Sequence, residues 1–119
     1  MDRGELCFLA DEAGALIAYQ ETGASWTSLL AFSDEEKALE FRRRGGLVNC
    51  AVVAIDLADE ASVRALITQV KRRAVRSLLL DLNFDSGHCQ EVELIGQAFA
   101  NPTERRLAPK ARGSSLTHL

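Results

Sequence analysis

The chain has 119 residues, 47% hydrophobic and 26% charged, which is room for one core and not for two ordinary domains. That composition excludes a disordered polymer, a collagen and a membrane span, since no segment approaches the roughly 18 consecutive apolar residues a span needs. The net charge of −3 divides unevenly: residues 1–101 carry 10 basic and 16 acidic side chains, while 102–119 carry Arg105, Arg106, Lys110 and Arg112 against Glu104. An acidic body repels phosphate backbones, so nucleic acid is not the expected partner of the folded part.

In chain order, Leu6–Ala10 and Ala15–Tyr19 are short apolar runs around the turn sequence Asp11-Glu12-Ala13-Gly14, which predicts a β-hairpin. Trp26–Phe32 is rich in strand formers and predicts a third antiparallel strand. Ser33-Asp34-Glu35-Glu36 reads as a capping box opening a helix, with Ala38 and Phe41 inward, Leu39 at the border, Arg42-Arg43-Arg44 in the last turn and Gly45-Gly46 as the stop. The continuous apolar run Cys50–Ile55 predicts a central strand covered on both faces. Asp56 or Asp59 caps a second helix whose Val63, Leu66, Ile67, Val70 and Ala74 form an inward stripe, and Lys71-Arg72-Arg73 end it on the solvent side. Val75–Asn83 is the next buried strand, with Leu78, Leu80 and Leu82 on one face and Leu79 on the other. Residues 90–100 fit a helix (Val92, Ile95, Phe99) or a strand (Val92, Leu94); the abundance of Glu, Gln, Leu and Ala and the stop at Asn101-Pro102 favour the helix. Residues 103–119 lack an apolar period and are expected to be a disordered basic tail.

The expected architecture is thus a single α/β (α+β) domain over 1–102: a mixed sheet of about five strands in the order hairpin, strand, helix, strand, helix, strand, closing helix, with the helices packed on the sheet. Leu29-Leu30-Ala31-Phe32-Ser33-Asp34-Glu35-Glu36, passing from strand to capped helix, and Ser77-Leu78-Leu79-Leu80-Asp81-Leu82-Asn83-Phe84 resemble the N-terminal domain of the SseB (enhanced serine sensitivity) family. That family ends the second segment near Asn-Pro, where this chain has Phe84. The resemblance covers residues 5–84 by pattern. It implies the same fold class and a non-enzymatic role, and it carries over no catalytic residue.

Asp81, Asp85, His88 and Cys89 are the densest set of reactive side chains, at the C-terminal end of a predicted core strand where α/β proteins place ligands. They could serve as an acid–base pair, a thiol beside an imidazole or a cation site; equally, Asp85-Ser86-Gly87 is a turn and Cys89 a buried thiol. Three cysteines without a CxxC and two histidines, one at position 118, give no zinc pattern, and no GxSxG or phosphate loop is present. No metal or cofactor is therefore expected. The arginine runs Arg42-Arg43-Arg44 and Lys71-Arg72-Arg73 are either an anion patch or solvated charge at helix ends. Trp26 and Tyr19 are either interface anchors or core. The leading expectation is a cytoplasmic, non-catalytic module that binds a protein or small ligand and can form a homodimer. The alternatives are a small enzyme or metal-dependent binder using Asp81, Asp85, His88 and Cys89, and a polyanion binder using the arginines and tail.

Overall fold

A computed structural model describes residues 4–20, 27–72, 74–95, 98–107 and 116–118. Trp26, Arg73, Lys110 and Arg112, and with them most of the expected tail, lie outside the described residues. The elements run β1 (Glu5–Ala10), β2 (Ile17–Gln20), β3 (Thr27–Ala31), α1 (Glu35–Gly45), β4 (Ala51–Asp56), α2 (Glu60–Arg72), β5 (Val75–Leu80), β6 (His88–Ile95), β7 (Ala98–Phe99), β8 (Thr103–Arg106) and β9 (Leu116–His118). The fold is mixed α/β, as the periodicities predict.

The larger sheet has the order β7-β6-β5-β3-β2-β9, with β8 also on β6; β3 and β5 run parallel and every other pair is antiparallel. Its two faces carry separate cores, because alternate residues of a strand point to opposite sides. Leu30, Phe32, Ile17, Tyr19 and Leu79 pack with Ala38 and Phe41 of α1, while Leu29, Ala31, Ala18 and Leu78 pack with Leu66 and Val70 of α2. Each helix therefore covers its own face of the sheet. Phe41 packs between Phe32 and Phe84 at centroid separations of 5.5 and 5.6 Å, tilted against the first ring and edge-on to the second.

The first turn closes as its sequence demands, with the Asp11 carboxylate accepting from the amides of Ala13 and Ala15. The two strands then part: after the single bridge Ala10–Leu16, β1 pairs along its whole length with β4 in a separate two-stranded sheet. Cys7 stitches that sheet to the larger one by exchanging both backbone hydrogen bonds, each 2.8 Å, with Phe32. β4 consequently lies at an edge. The expected central strand covered on both faces is instead exposed at Ala51, Val53, Ala54 and Asp56.

α1 starts one residue later than the capping box implies: Asp34 is the N-cap and accepts from the Lys37 amide, while the Ser33 amide donates to Asp81. Gly46, at φ 69°, is the left-handed C-cap. Asp59 rather than Asp56 caps α2, accepting from the Ala61 amide and the Ser62 hydroxyl. Asp56 instead closes the turn before it through the Ala58 amide. Ala74, expected on the inner stripe, lies beyond α2 at φ 59° and is exposed.

Two further expectations are corrected. The segment expected as a closing helix over 90–100 is strand, because β5 offers an edge that Gln90–Glu93 satisfy in register, and sheet pairing overrides helix propensity. Thr103–Arg106, expected in the disordered tail, pairs with His88–Glu91, and Leu107 is buried. Pro102 sits in the break between β7 and β8, where it withholds no ladder donor. No described helix is long and apolar enough to cross a membrane.

Candidate functional site

At the C-terminal end of β5 the chain turns sharply. Asp81 takes φ 55°, a left-handed conformation that Asp tolerates better than branched residues, and this swings Leu82 into the α1-side core, away from the face of Leu78 and Leu80. Its carboxylate accepts from the Ser33 amide at 2.7 Å and lies 3.5 Å from Lys37 Nζ, tying the start of α1 to the end of β5. Asn83 organises the following loop, its side-chain oxygen accepting from the amides of Asp85 and Ser86. Gly87, at φ 79°, returns the chain to β6. Between this loop and α1 runs a groove of about 460 Å³ lined by Glu36, Lys37, Glu40, Arg44, Asp81 and Asp85 over a floor that includes Phe41 and Phe84.

Only half of the expected reactive set reaches that groove. Asp81 and Asp85 line it; His88 and Cys89 are neighbours at the start of β6, point to opposite faces, and line none of it. His88 is exposed. The Cys89 thiol is pushed up to about 11, mainly by burial, with Glu91 and Glu104 adding to the rise and Arg105 opposing it. A thiol held protonated in this way is a poor nucleophile at neutral pH. Among the described residues no group of three His, Cys, Asp or Glu side chains is placed to hold a metal ion.

The three arginines at the end of α1 are occupied. Arg42 donates to the Cys50 carbonyl at 3.0 Å, Arg43 and Arg44 both pair with Glu40, and Arg44 reaches Asp85 at 2.8 Å. Arg43 holds the Glu40 carboxyl below the usual carboxylate range by a direct hydrogen bond, and Arg44 assists. Arg42-Arg43-Arg44 and the described pair Lys71-Arg72 end helices on opposite faces of the sheet, so they do not form one anion patch. Tyr19 is buried in the α1-side core of its own chain.

Two features escape a reading by motif. One is a polar ladder across the α1-side face of the sheet. The Ser28 and Ser77 hydroxyls are 2.8 Å apart, Ser77 donates to Glu91 at 2.8 Å, and Arg105 donates to Glu91 at 3.1 Å. Its members come from β3, β5, β6 and β8, so only the strand order reveals it.

The other is the outer edge of β4. Because Cys7 directs both its backbone groups to Phe32, the Cys7–Ala54 pair is a non-hydrogen-bonded one, and so, two residues on, is Leu9–Val52. The Leu57 amide donating to Gly4 confirms the phase. The N–H and C=O groups of Val52 and Ala54 therefore point away from β1, toward an edge that no other described strand pairs. Arg42, on the Cys50 carbonyl, stands at the start of that edge, and Asp56 at its end. From Cys50 to Ile55 the strand has no charge, no proline and no bulge against β1, the devices that ordinarily protect an edge. A continuous apolar run is the one sequence signal it offers, and that signal also describes a buried central strand.

No family model matches the chain, and neither the curated proteins nor the solved structures contain a match.

Proposed function

We propose that the protein is a non-catalytic interaction module that binds a polypeptide by strand addition to β4. The observation that carries this is the unguarded edge itself: outward backbone groups at Val52 and Ala54 in an apolar strand whose Val53 is 39% exposed. Backbone hydrogen bonds along such an edge supply affinity, and alternate side-chain positions supply selectivity. The enzymatic alternative loses support because Cys89 and His88 stand apart from Asp81 and Asp85. The polyanion alternative loses support because Arg43 and Arg44 are already paired with carboxylates. The resemblance to the SseB family, itself a proposal, agrees with a non-enzymatic role.

The test uses Ala54→Pro, which removes an outward N–H and leaves the bonds to β1 in place, the arrangement in which proline is accepted on an edge. Peptides selected from a random display library on the wild-type protein should bind it and fail to bind Ala54→Pro, while binding Asp85→Asn normally. Peptides that bind all three equally, or that respond only to Asp85→Asn, would move the site to the groove and overturn strand addition. A divalent-cation screen that raises the thermal midpoint of wild type and not of Asp85→Asn would do the same in favour of metal binding.

A further inference from the structure

We infer that the polypeptide occupying β4 is a second copy of this chain, added antiparallel about a two-fold axis through Val53. This rests on the strand-addition reading above and names its partner. The phase of the edge restricts the choice. Outward-facing residues must oppose outward-facing residues, so Val52 and Ala54 can meet each other or themselves, and neither can meet Val53 of the other copy. With the axis at Val53, Val52 of each copy exchanges two hydrogen bonds with Ala54 of the other, Ala51 faces Ile55, and Cys50 faces Asp56. That register uses the strand from end to end, whereas an axis at Ala54 leaves Cys50 and Ala51 beyond the end of the opposing strand.

Charge selects the same orientation. The start of β4 carries the Arg42 guanidinium, fixed on the Cys50 carbonyl. The end carries Asp56, with Glu5 opposite it on β1 and Asp59 and Glu60 at the start of α2. Antiparallel addition brings the basic end of each copy to the acidic end of the other, twice per dimer. Parallel addition would set Arg42 beside Arg42 and Asp56 beside Asp56. Asp11, the other carboxylate near Cys50, is engaged by the amides of its own turn. The Cys50 carbonyl has two lone pairs, so it can keep Arg42 while accepting from the Asp56 amide of the other copy. At the centre, the two exposed Val53 side chains cover each other at a non-hydrogen-bonded pair, where Cα atoms approach to about 4.5 Å. A closed two-fold pairing of this kind also leaves no further β4 edge to propagate.

Two measurements on the full chain decide it. Sedimentation from about 1 µM to about 1 mM should show a reversible monomer–dimer equilibrium. Ala54→Pro should abolish it, and Asp56→Asn, which keeps the turn acceptor for Ala58, should weaken it roughly threefold to tenfold. Val53→Cys should oxidise to a disulfide-linked dimer, since a non-hydrogen-bonded pair on the axis meets disulfide geometry, while Ala54→Cys should not. Val53→Cys reports on the pairing even if Ala54→Pro fails to fold. A chain that stays monomeric throughout and gives no Val53→Cys crosslink overturns the dimer. If such a chain still binds selected peptides in an Ala54-dependent way, strand addition itself stands. A dimer that crosslinks through Ala54→Cys, or that ignores Asp56→Asn, overturns the register and the charge pairing proposed for it.

Discussion

Among the described residues, β4 and β8 both pair through a single edge, and their sequences treat that position in opposite ways. β8 is Thr103-Glu104-Arg105-Arg106, charged along its length, with a proline just before it. β4 is Ala-Val-Val-Ala-Ile-Asp, neutral until its last residue. β8 has the features of an edge meant to stay an edge, since charge and proline discourage further pairing; β4 has none of them. The sequence patterns mislead about both for the same reason. Apolar content reports on what covers a strand's faces, and charge on what meets water, but neither reports whether a backbone edge is paired. A strand holding one buried anchor and one ladder of hydrogen bonds needs no apolar period at all.

The largest effect expected from this comparison is on β8. Ending the chain at Pro102 strips the Glu91 carboxylate of Arg105, removes Leu107 from the α1-side core, uncovers the β6 edge and also takes β9 off β2. It should cost more than about 3 kcal/mol in urea unfolding, and Leu107→Ala alone about 2–4 kcal/mol. A truncated chain as stable as the full one would return 103–119 to the status of a tail and erase the contrast with β4.

The second effect is alkaline. Cys89 lies opposite Arg105, so β8 takes part in burying it. Its thiol ionises near 11 in the folded protein against an ordinary value of 9.0, and Cys7 and Cys50 are raised in the same direction by burial. The unfolded chain therefore loses these protons first as pH rises. The stability they contribute is fully present below about pH 9 and declines toward pH 11, with a slope for Cys89 of at most about 1.4 kcal/mol per pH unit. Chemical denaturation at pH 8, 9, 10 and 11 should show the decline, with a shallower slope in Cys89→Ala. An unchanged slope would place Cys89 outside the cover of β8.

Much of the fold was legible because it rests on local signals. The stripe Leu66, Ile67 and Val70 and the stop at Gly46 are written in consecutive turns of chain. What was not legible depends on partners distant in sequence. β6 carries the Glu, Gln and Leu of a helix, and only the waiting edge of β5 makes it a strand. The cluster Asp81 to Cys89 looked contiguous because sequence proximity ignores the alternation of a strand, which sends His88 and Cys89 apart. The ladder of Ser28, Ser77, Glu91 and Arg105 had no signature, since isolated serines inside apolar strands are indistinguishable from tolerated substitutions until the strands are ordered side by side.

That ladder links β8 to the centre of the sheet and supplies a third, smaller effect. Ser77 is 1% exposed and both accepts and donates, so Ser77→Ala leaves the buried Ser28 hydroxyl without this partner and takes one of two donors from Glu91 Oε2, which keeps Arg105. The expected cost is about 1–3 kcal/mol by thermal or urea unfolding. Because both act through Glu91, the penalties of Ser77→Ala and Arg105→Ala should not add. Additive penalties would mean that the ladder is two separate contacts.

The smallest expected effect is at the other strand and is the sharpest probe of the comparison. Val53→Lys gives β4 the guard that β8 already has. Val53 is 39% exposed at an edge, and a lysine there can lay its alkyl stem along the strand while its ammonium stays in water. The folded monomer should therefore change by no more than about 0.5 kcal/mol in urea unfolding at low protein concentration, where association does not contribute. At high concentration the same substitution should remove any concentration dependence of the midpoint, because two ammonium groups would meet on the proposed axis. If instead the monomer loses 2 kcal/mol or more, a range set by truncation of well-packed core residues, then β4 is covered within its own chain. The two edges would then differ in composition alone and not in what they are free to bind.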